Sequence, residues 1–553
     1  MRCFIKIFFI IFYIYNFNYL LSTNLDKEQI INQFQVDSVD ISGWRKVQEQ
    51  AQDTVVQLFV ETMIFNWLDP YKSPEQKAFY GSGFLIDEDG YIVTNYHVIE
   101  QAVSVKIQIP SFGKKRFKTD IIGVCPDRDI ALLQLSKKSR NVIKDKLGKI
   151  PYLKLGNSDK VLRTQEILAM GYPLGQEKLK STQGIVSGRE YVWGELYIQI
   201  TAALNKGNSG GPSFNSKGEV IGINTVGISR AQNVGYIIPI NDVESVIKDL
   251  YKIKFLRYPM LGAEFNYAND EMLDFFNNPK PGGLYLSRIY KDSLLNKNNV
   301  KEGDMLYSLN GYKLDLYGEI LVPWSEDKVS IVSLLNRYPI GKQINLIVYR
   351  NGTKKEFTFE FNLVDPLPIR RIYTPFEKVD YEIIGGMVVM ELKLNHLDFL
   401  LKEDAFLIKY KKRENQYESR LIITHVFPDS PVQKARVLGV TDLLEEVNNQ
   451  KVRTLNDFRH AIQNGKNKKF LTVKSEDKRF MVLSIENILK EEKDLSKKYL
   501  YKMSKLIDYL EDTIKIPVSL HDDNNNNGKE TELDENEIKN KKDIDKKFTV
   551  IIT

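Results

Sequence analysis

From Thr54 to Ile240 the apolar residues fall in short runs cut by turn residues, and few stretches keep a helical period. TVVQLFVETMIFNWL opens the series. FLI and YIVTN flank DEDG and predict a hairpin, with Asp-Gly supplying the turn. VSVKIQI, IIGV, IALLQL, EILAMGY, YIQITAA, VIGINTV and VGYIIPI follow as strands. Residues 54–241 therefore read as all-β, a barrel pair or a sandwich. INDVESVIKDLYKI then spaces its apolar residues at i, i+3 and i+4, which predicts an amphipathic helix that closes the unit.

Beyond it lie two segments of mixed character, weak repeats of one another: strand, Pro or Ser step, short helix, acidic-apolar strand, Asn-centred turn, helix, strands. The first spans residues 255–368 and carries VKEGDMLYSLNG; the second spans 369–487 and carries LIITHVFPDSPVQKARVLGVTDLLEEVNNQ. Residues 488–515 read as a charged helix, and the Asn- and charge-rich stretch 516–553 as a low-complexity tail. At the other end, MRCFIKIFFIIFYIYNFNYLLSTN places Arg2 and Lys6 before a short apolar core. Residues 1–23 thus resemble a secretory leader, being short for a membrane span, and 24–50 form a polar lead-in to a β unit at 51–254. A signal anchor or a mitochondrial or plastid-like organelle leader is the alternative. The expected compartment is the secretory pathway or an organelle lumen, with no stable span once the leader is removed.

Composition narrows the chemistry. A chain of 553 residues exceeds one hydrophobic core, and its 42% apolar content fits several packed domains. The 78 basic and 72 acidic residues leave +6, too mild a balance to imply nucleic acid as a partner. Two cysteines, Cys3 and Cys125, allow neither a disulfide framework nor a multi-cysteine metal site.

The stretch NKGNSGGPSFN sets Ser209 among small residues ahead of a strand. Alone it reads as a surface loop. It also suits a nucleophile, with Gly207 and Gly210 letting backbone N–H groups face a developing oxyanion. A hydroxyl needs a base, and histidine titrates in the right range. Of five histidines, His97 sits where the β-rich run GYIVTNYHVIE ends, whereas His396, His425, His460 and His521 fall in the repeats or the tail. An acid must orient that base. Asp129 stands at the entrance to the buried strand IALLQL, where a carboxylate needs a partner; Asp127, upstream in a Pro-Asp turn, reads as a solvated turn residue.

The order His97, Asp129, Ser209, with GSGFLIDEDGYIVTNYHVI, DIALLQL, GYPLG, TQGIVSG and AALNKGNSGGPSFN, resembles the HtrA/Deg family of serine proteases. NVGYIIPI and the two downstream segments resemble its plant-type branch. The resemblance implies a mainly β chain: a chymotrypsin-like double β-barrel followed by two α+β PDZ-like domains and a disordered C-terminal tail. It implies Ser209 as nucleophile, His97 as base and Asp129 as its orienting acid. The N–H groups of Gly207, Asn208 and Ser209 would form the oxyanion hole. Ala203 in place of an acid six residues before the serine implies a small or apolar P1 residue, in a pocket lined by Ala203, Leu204, Asn224, Thr225 and Val226. Thr201 stands where relatives have Asp, and residues 171–175 belong to a loop that relatives switch between ordered and collapsed states.

For the PDZ-like segments the expected carboxylate-binding loops lie at Leu261 and Gly262 in the first and at Gly385 and Gly386 in the second; either pair is also an ordinary turn. The implied partners are unfolded polypeptides and further copies of the chain, as a trimer or a multiple of trimers, with no metal or organic cofactor. The implied activity is an ATP-independent endopeptidase of protein quality control. The alternative is a catalytically silent chaperone or PDZ scaffold.

Overall fold

The computed structural model describes residues 42–515 apart from 193, 228–232 and 466–468. The expected leader, the lead-in up to residue 41 and the tail from 516 lie outside the described residues. A helix, α1 (Ser42–Ala51), leads in and buries Val47 and Ala51.

Twelve strands then close into two antiparallel six-stranded barrels. The first comprises β1 (Val55–Ile64), β2 (Glu75–Leu85), β3 (Tyr91–Thr94), β4 (Ala102–Gln108), β5 (Arg116–Cys125) and β6 (Ile130–Leu135), in the order β1-β2-β3-β6-β5-β4. The second comprises β7 (Glu166–Gly171), β8 (Lys180–Val192), β9 (Glu195–Ile200), β10 (Pro212–Phe214), β11 (Val220–Gly227) and β12 (Gly235–Pro239), in the order β10-β11-β12-β9-β8-β7. The strand pattern of the sequence is present, with Gly90 at φ +76° in the Asp-Gly turn between β2 and β3. Two strands escape the pattern: β8 alternates around exposed polar positions, and β10 is three residues long. The unit is also not free of helix. Ser136 caps α2 (Lys137–Leu147) by accepting from the Ser139 N–H, and only Ser139 and Ile143 of that helix are buried, too sparse an apolar stripe to register as a period.

One apolar cluster joins the barrels, with Val93 and Leu132 from the first meeting Leu168, Met170, Phe214 and Ile223 from the second. The helix α3 (Ile240–Leu250) packs Ile240, Val243, Val246, Ile247 and Leu250 on it, the spacing read from the sequence. The free thiol of Cys125 is buried there.

Each repeat is an α+β unit around its own sheet. The first runs β13 (Ala263–Asn266), β14 (Leu284–Ile289), β15 (Met305–Leu309), β16 (Gln343–Arg350), β17 (Thr353–Glu360), with β13 at the edge. Buried Asp304 of the GDM motif holds Arg350 through two contacts of 2.6 and 2.8 Å. The second runs β18 (Tyr381–Ile384), β19 (Met387–Glu391), β20 (Leu421–Val426), β21 (Leu443–Val447), β22 (Phe470–Ser475), β23 (Phe480–Ser484). It rests on the first barrel through the loop after β1: Trp67 lies edge-on to His396 at 5.1 Å, and Tyr71 edge-on to Phe427 at 5.1 Å. The expected single helix at 488–515 is two helices, α4 (Ile485–Tyr499) and α5 (Lys505–Lys515), because Leu500 takes a left-handed conformation at φ +57° and ends the first. No helix among the described residues is long and apolar enough to cross a membrane.

Candidate active site

The register of β3 and β6 builds the first part of the site. Thr94, the last residue of β3, stands opposite Ala131, next to the first residue of β6. His97 follows β3 by three residues and Asp129 precedes β6 by one, so antiparallel pairing alone delivers both to one barrel rim. His97 Nδ1 lies 2.8 Å from Asp129 Oδ2 and 3.0 Å from Oδ1. The His97 backbone N–H donates to Asp129 Oδ1 at 2.8 Å. Burial alone would lower the His97 pKa, but the hydrogen bond and charge of Asp129, helped by Glu100, reverse this and leave it raised. That contact fixes the ring with Nε2 pointing away from the acid.

Two residues take part here in contacts the sequence did not give them. Thr225 donates its hydroxyl to Asp129 Oδ2 at 3.3 Å, tying the second barrel to the acid. Asp127 is exposed in the Pro126–Arg128 turn, as read from the sequence, and is also anchored there: its Oδ2 accepts from the Tyr258 N–H at 3.1 Å and its Oδ1 lies 3.4 Å from Arg257.

The Ser209 loop is carried by the second barrel and pinned by the first through Ser82. The buried Ser82 hydroxyl donates to the Gly207 carbonyl at 2.6 Å and accepts from the Tyr172 N–H at 2.9 Å. Its own N–H donates to the Ser209 carbonyl at 2.9 Å. The signal for Ser82 was the run of small residues in GSG. Both loop glycines are obligatory. At Gly207 (φ +99°) a Cβ would stand 2.4 Å from the Tyr172 carbonyl, and at Gly210 (φ +85°) 2.1 Å from the Ser82 carbonyl. No hydrogen bond joins Ser209 Oγ to His97 in this structure; the bond the ring makes is to Asp129.

Of the three expected oxyanion donors, Asn208 is corrected: its N–H is spent on the Asn205 carbonyl at 2.9 Å, a turn inside the loop. The N–H groups of Gly207 and Ser209 have no hydrogen-bond partner among the described residues. The loop at residues 171–175 closes against this segment, where the Leu174 N–H donates to the Lys206 carbonyl at 2.6 Å. Thr201 accepts from the Ile185 N–H at 2.9 Å and so belongs to the β8 edge.

The expected P1 pocket is revised. The Asn224 side chain is fully buried, holding Ser213 Oγ at 2.7 Å and the Met170 carbonyl at 2.9 Å, and so faces the barrel interior. Thr225 faces Asp129, and the Val226 side chain lies outside the described residues. Ala203 is exposed, with its carbonyl accepting from Thr182, and Leu204 packs at the rim of the second-barrel core.

The PDZ-like loops differ from each other. Gly262, at φ +82°, precedes β13, a strand paired on one side only. The expected loop at Gly385 and Gly386 is instead the hairpin between β18 and β19. The corresponding edge is already taken by the chain itself: β19 pairs with β18 on one side and β20 on the other. Arg459 holds Asp380 at 2.9 Å and Glu382 at 2.5 Å on the β18 arm of that hairpin. The Gly385 N–H, expected to meet a peptide carboxylate, donates to Glu492 Oε2 of α4 at 3.1 Å.

Paired closed barrels, a serine in a glycine-held loop and a carboxylate-bound histidine define a trypsin-like serine endopeptidase. A trypsin-like peptidase domain matches residues 81–223, which hold His97, Asp129 and Ser209, and a PDZ domain matches residues 373–505. Two curated relatives are named probable periplasmic serine endoprotease DegP-like. The one from Pseudomonas fluorescens is 30% identical over 390 residues, 68% of this chain and 72% of its own length. The one from Hahella chejuensis is 27% identical over 434 residues, 76% of this chain and 83% of its own. A solved structure titled HtrA-type protease AlgW with decapeptide is 24% identical, covering 59% of this chain and 99% of its own, at a TM-score of 0.46. The chain belongs to the HtrA/Deg family of DegP-like serine endoproteases. None of these relatives assigns it to the plant-type branch.

Proposed function

We propose that the chain hydrolyses unfolded or damaged polypeptides without ATP, through Ser209, His97 and Asp129, as an exported protein-quality-control endopeptidase. The observation that carries this reading is the His97–Asp129 pair at 2.8 Å, with Thr225 of the second barrel also bonded to Asp129. Ser209 attacks the scissile carbonyl. His97 Nε2 takes the hydroxyl proton and later passes it to the leaving amine, while Asp129 holds the ring and stabilises the imidazolium. The N–H groups of Gly207 and Ser209 receive the oxyanion; losing one such donor costs about 10²–10³ in kcat. With Ala203 and Leu204 at the pocket, small apolar P1 residues are favoured.

The relatives' names carry the word periplasmic, which supports export for this chain and lends nothing to the organelle alternative. Assembly into trimers or their multiples is part of the same proposal, from the family resemblance. Mapping the cleavage sites in a casein digest tests the reading. Cuts after Ala, Val and similar residues that vanish in S209A are expected, whereas no cleavage by the wild-type chain favours the silent scaffold.

A further inference from the structure

Asp129 presents its carboxylate from an unusual backbone state. It sits in the left-handed region at φ +54° and ψ 39°, a conformation sparsely occupied by residues with a Cβ, and it is held there by its neighbours. Its carbonyl accepts from the Tyr96 N–H and from Asn95 Nδ2, both at 3.1 Å, and its N–H donates to the Pro126 carbonyl at 3.1 Å. The remaining support comes from the residue before it. Arg128 points away from the site into a closed junction and is 7% exposed there. One guanidinium nitrogen is bonded to the Glu195 carboxylate, at the start of β9. Another donates to the Asn336 carbonyl of the first PDZ unit at 2.6 Å, and the guanidinium lies 4.2 Å over the Tyr258 ring.

Three separate elements thus grip one side chain: a second-barrel strand, the segment leading to the first PDZ unit, and that unit itself. Asn336 also donates through Nδ2 to the Gly194 carbonyl at 3.1 Å, so the carbonyl that Arg128 binds is itself held. Neighbouring Arg337 fastens the PDZ unit to Asp159, between the barrels (2.7 Å), and to Asp242 of α3 (3.0 Å).

We propose that Arg128 is a positioning residue for Asp129, clamping the 126–129 turn so that docking of the first PDZ unit and the orientation of the acid are one structural event. This rests on the Ser209, His97, Asp129 reading. Arg128 touches neither substrate nor the imidazole; it sets the peptide plane from which the Asp129 carboxylate projects. A lysine could satisfy Glu195 but cannot reach the Asn336 carbonyl and stack on Tyr258 in the same planar geometry.

The test uses the full chain with active sites titrated by a fluorophosphonate, so that only competent molecules are counted. R128M is measured beside R128M/E195Q, which leaves no unpaired buried carboxylate, and R128K. Expected is a fall in kcat of about tenfold or more with KM nearly unchanged, in both methionine variants, because misplacement by a fraction of an ångström suffices. The acid limb of kcat/KM shifts to lower pH, since Asp129 is what raises His97, while Glu100, the other acid acting on that ring, is untouched. R337A, which frees the PDZ unit without touching Arg128, lowers kcat in the same direction and adds little to R128M. Wild-type kcat and acid limb in R128M/E195Q, whatever its melting temperature, overturn the proposal, and full additivity of R337A with R128M overturns its PDZ part. D129N separates this from the underlying reading: if D129N keeps full activity the triad reading fails, and if D129N is inactive while R128M/E195Q is normal, only the role of Arg128 fails.

Discussion

Thr225 of the second barrel donates its hydroxyl hydrogen to Asp129 Oδ2 of the first, across 3.3 Å. The acid therefore receives three donors: the His97 ring and backbone N–H from its own barrel and this hydroxyl from the opposite one. T225V removes a hydrogen bond to a charged group, worth about 1.5–3 kcal/mol. The expected result is a kcat lower by about ten- to a hundredfold with restoration in T225S, read from steady-state peptide cleavage.

His97 titrates above an ordinary imidazole because Asp129 outweighs the effect of burial. A base must be neutral to act, so the acid limb of kcat/KM falls above the ordinary imidazole pKa of about 6.5. D129N removes the charge and the tautomer lock. A loss in kcat of about 10⁴ is expected, with the residual activity titrating at lower pH.

Gly210 has no room for a side chain: a Cβ would approach Ser82 O to 2.1 Å and Thr94 Oγ1 to 2.2 Å, at φ +85°. G210A is expected to be inactive and less stable by about 1–3 kcal/mol by denaturant unfolding. G439A, where a Cβ meets nothing within 4 Å, is the control and stays close to wild type.

Glu492 is wholly buried, taking the Tyr501 hydroxyl at 2.7 Å and the Gly385 N–H at 3.1 Å. Burial outweighs these two bonds and raises its pKa from 4.5 to about 7. The folded chain thus holds this proton more tightly than the unfolded chain does. The stabilisation is full below about pH 4.5 and is lost as pH rises towards 7, by about 3 kcal/mol over that window. E492Q, a permanently neutral mimic, is expected to flatten that slope in thermal unfolding; a slope equal to wild type would assign the titration to another group.

Ten of the twelve barrel strands were legible in the sequence from period-two runs, and the candidates His97, Asp129 and Ser209 stand out by local signals too: a histidine ending one strand, an acid opening another, a serine among glycines. What stayed hidden depends on non-local pairing. Thr225 and Asn224 are adjacent on β11, and only its seat between the barrels decides that one faces Asp129 and the other the interior. Asn208 looked like an oxyanion donor until its N–H was seen to close a turn on Asn205. The loop at Gly385 and Gly386 reads as a ligand loop in sequence, and the occupants of its groove, β18 and Glu492, become visible only in the folded sheet.

The most direct measurement is covalent labelling of the full chain by a fluorophosphonate, with the adduct located by mass spectrometry. A single adduct on Ser209, absent in S209A and strongly slowed in H97A, is expected; an unlabelled wild-type chain that still cleaves casein, or an adduct on another residue, would contradict the account.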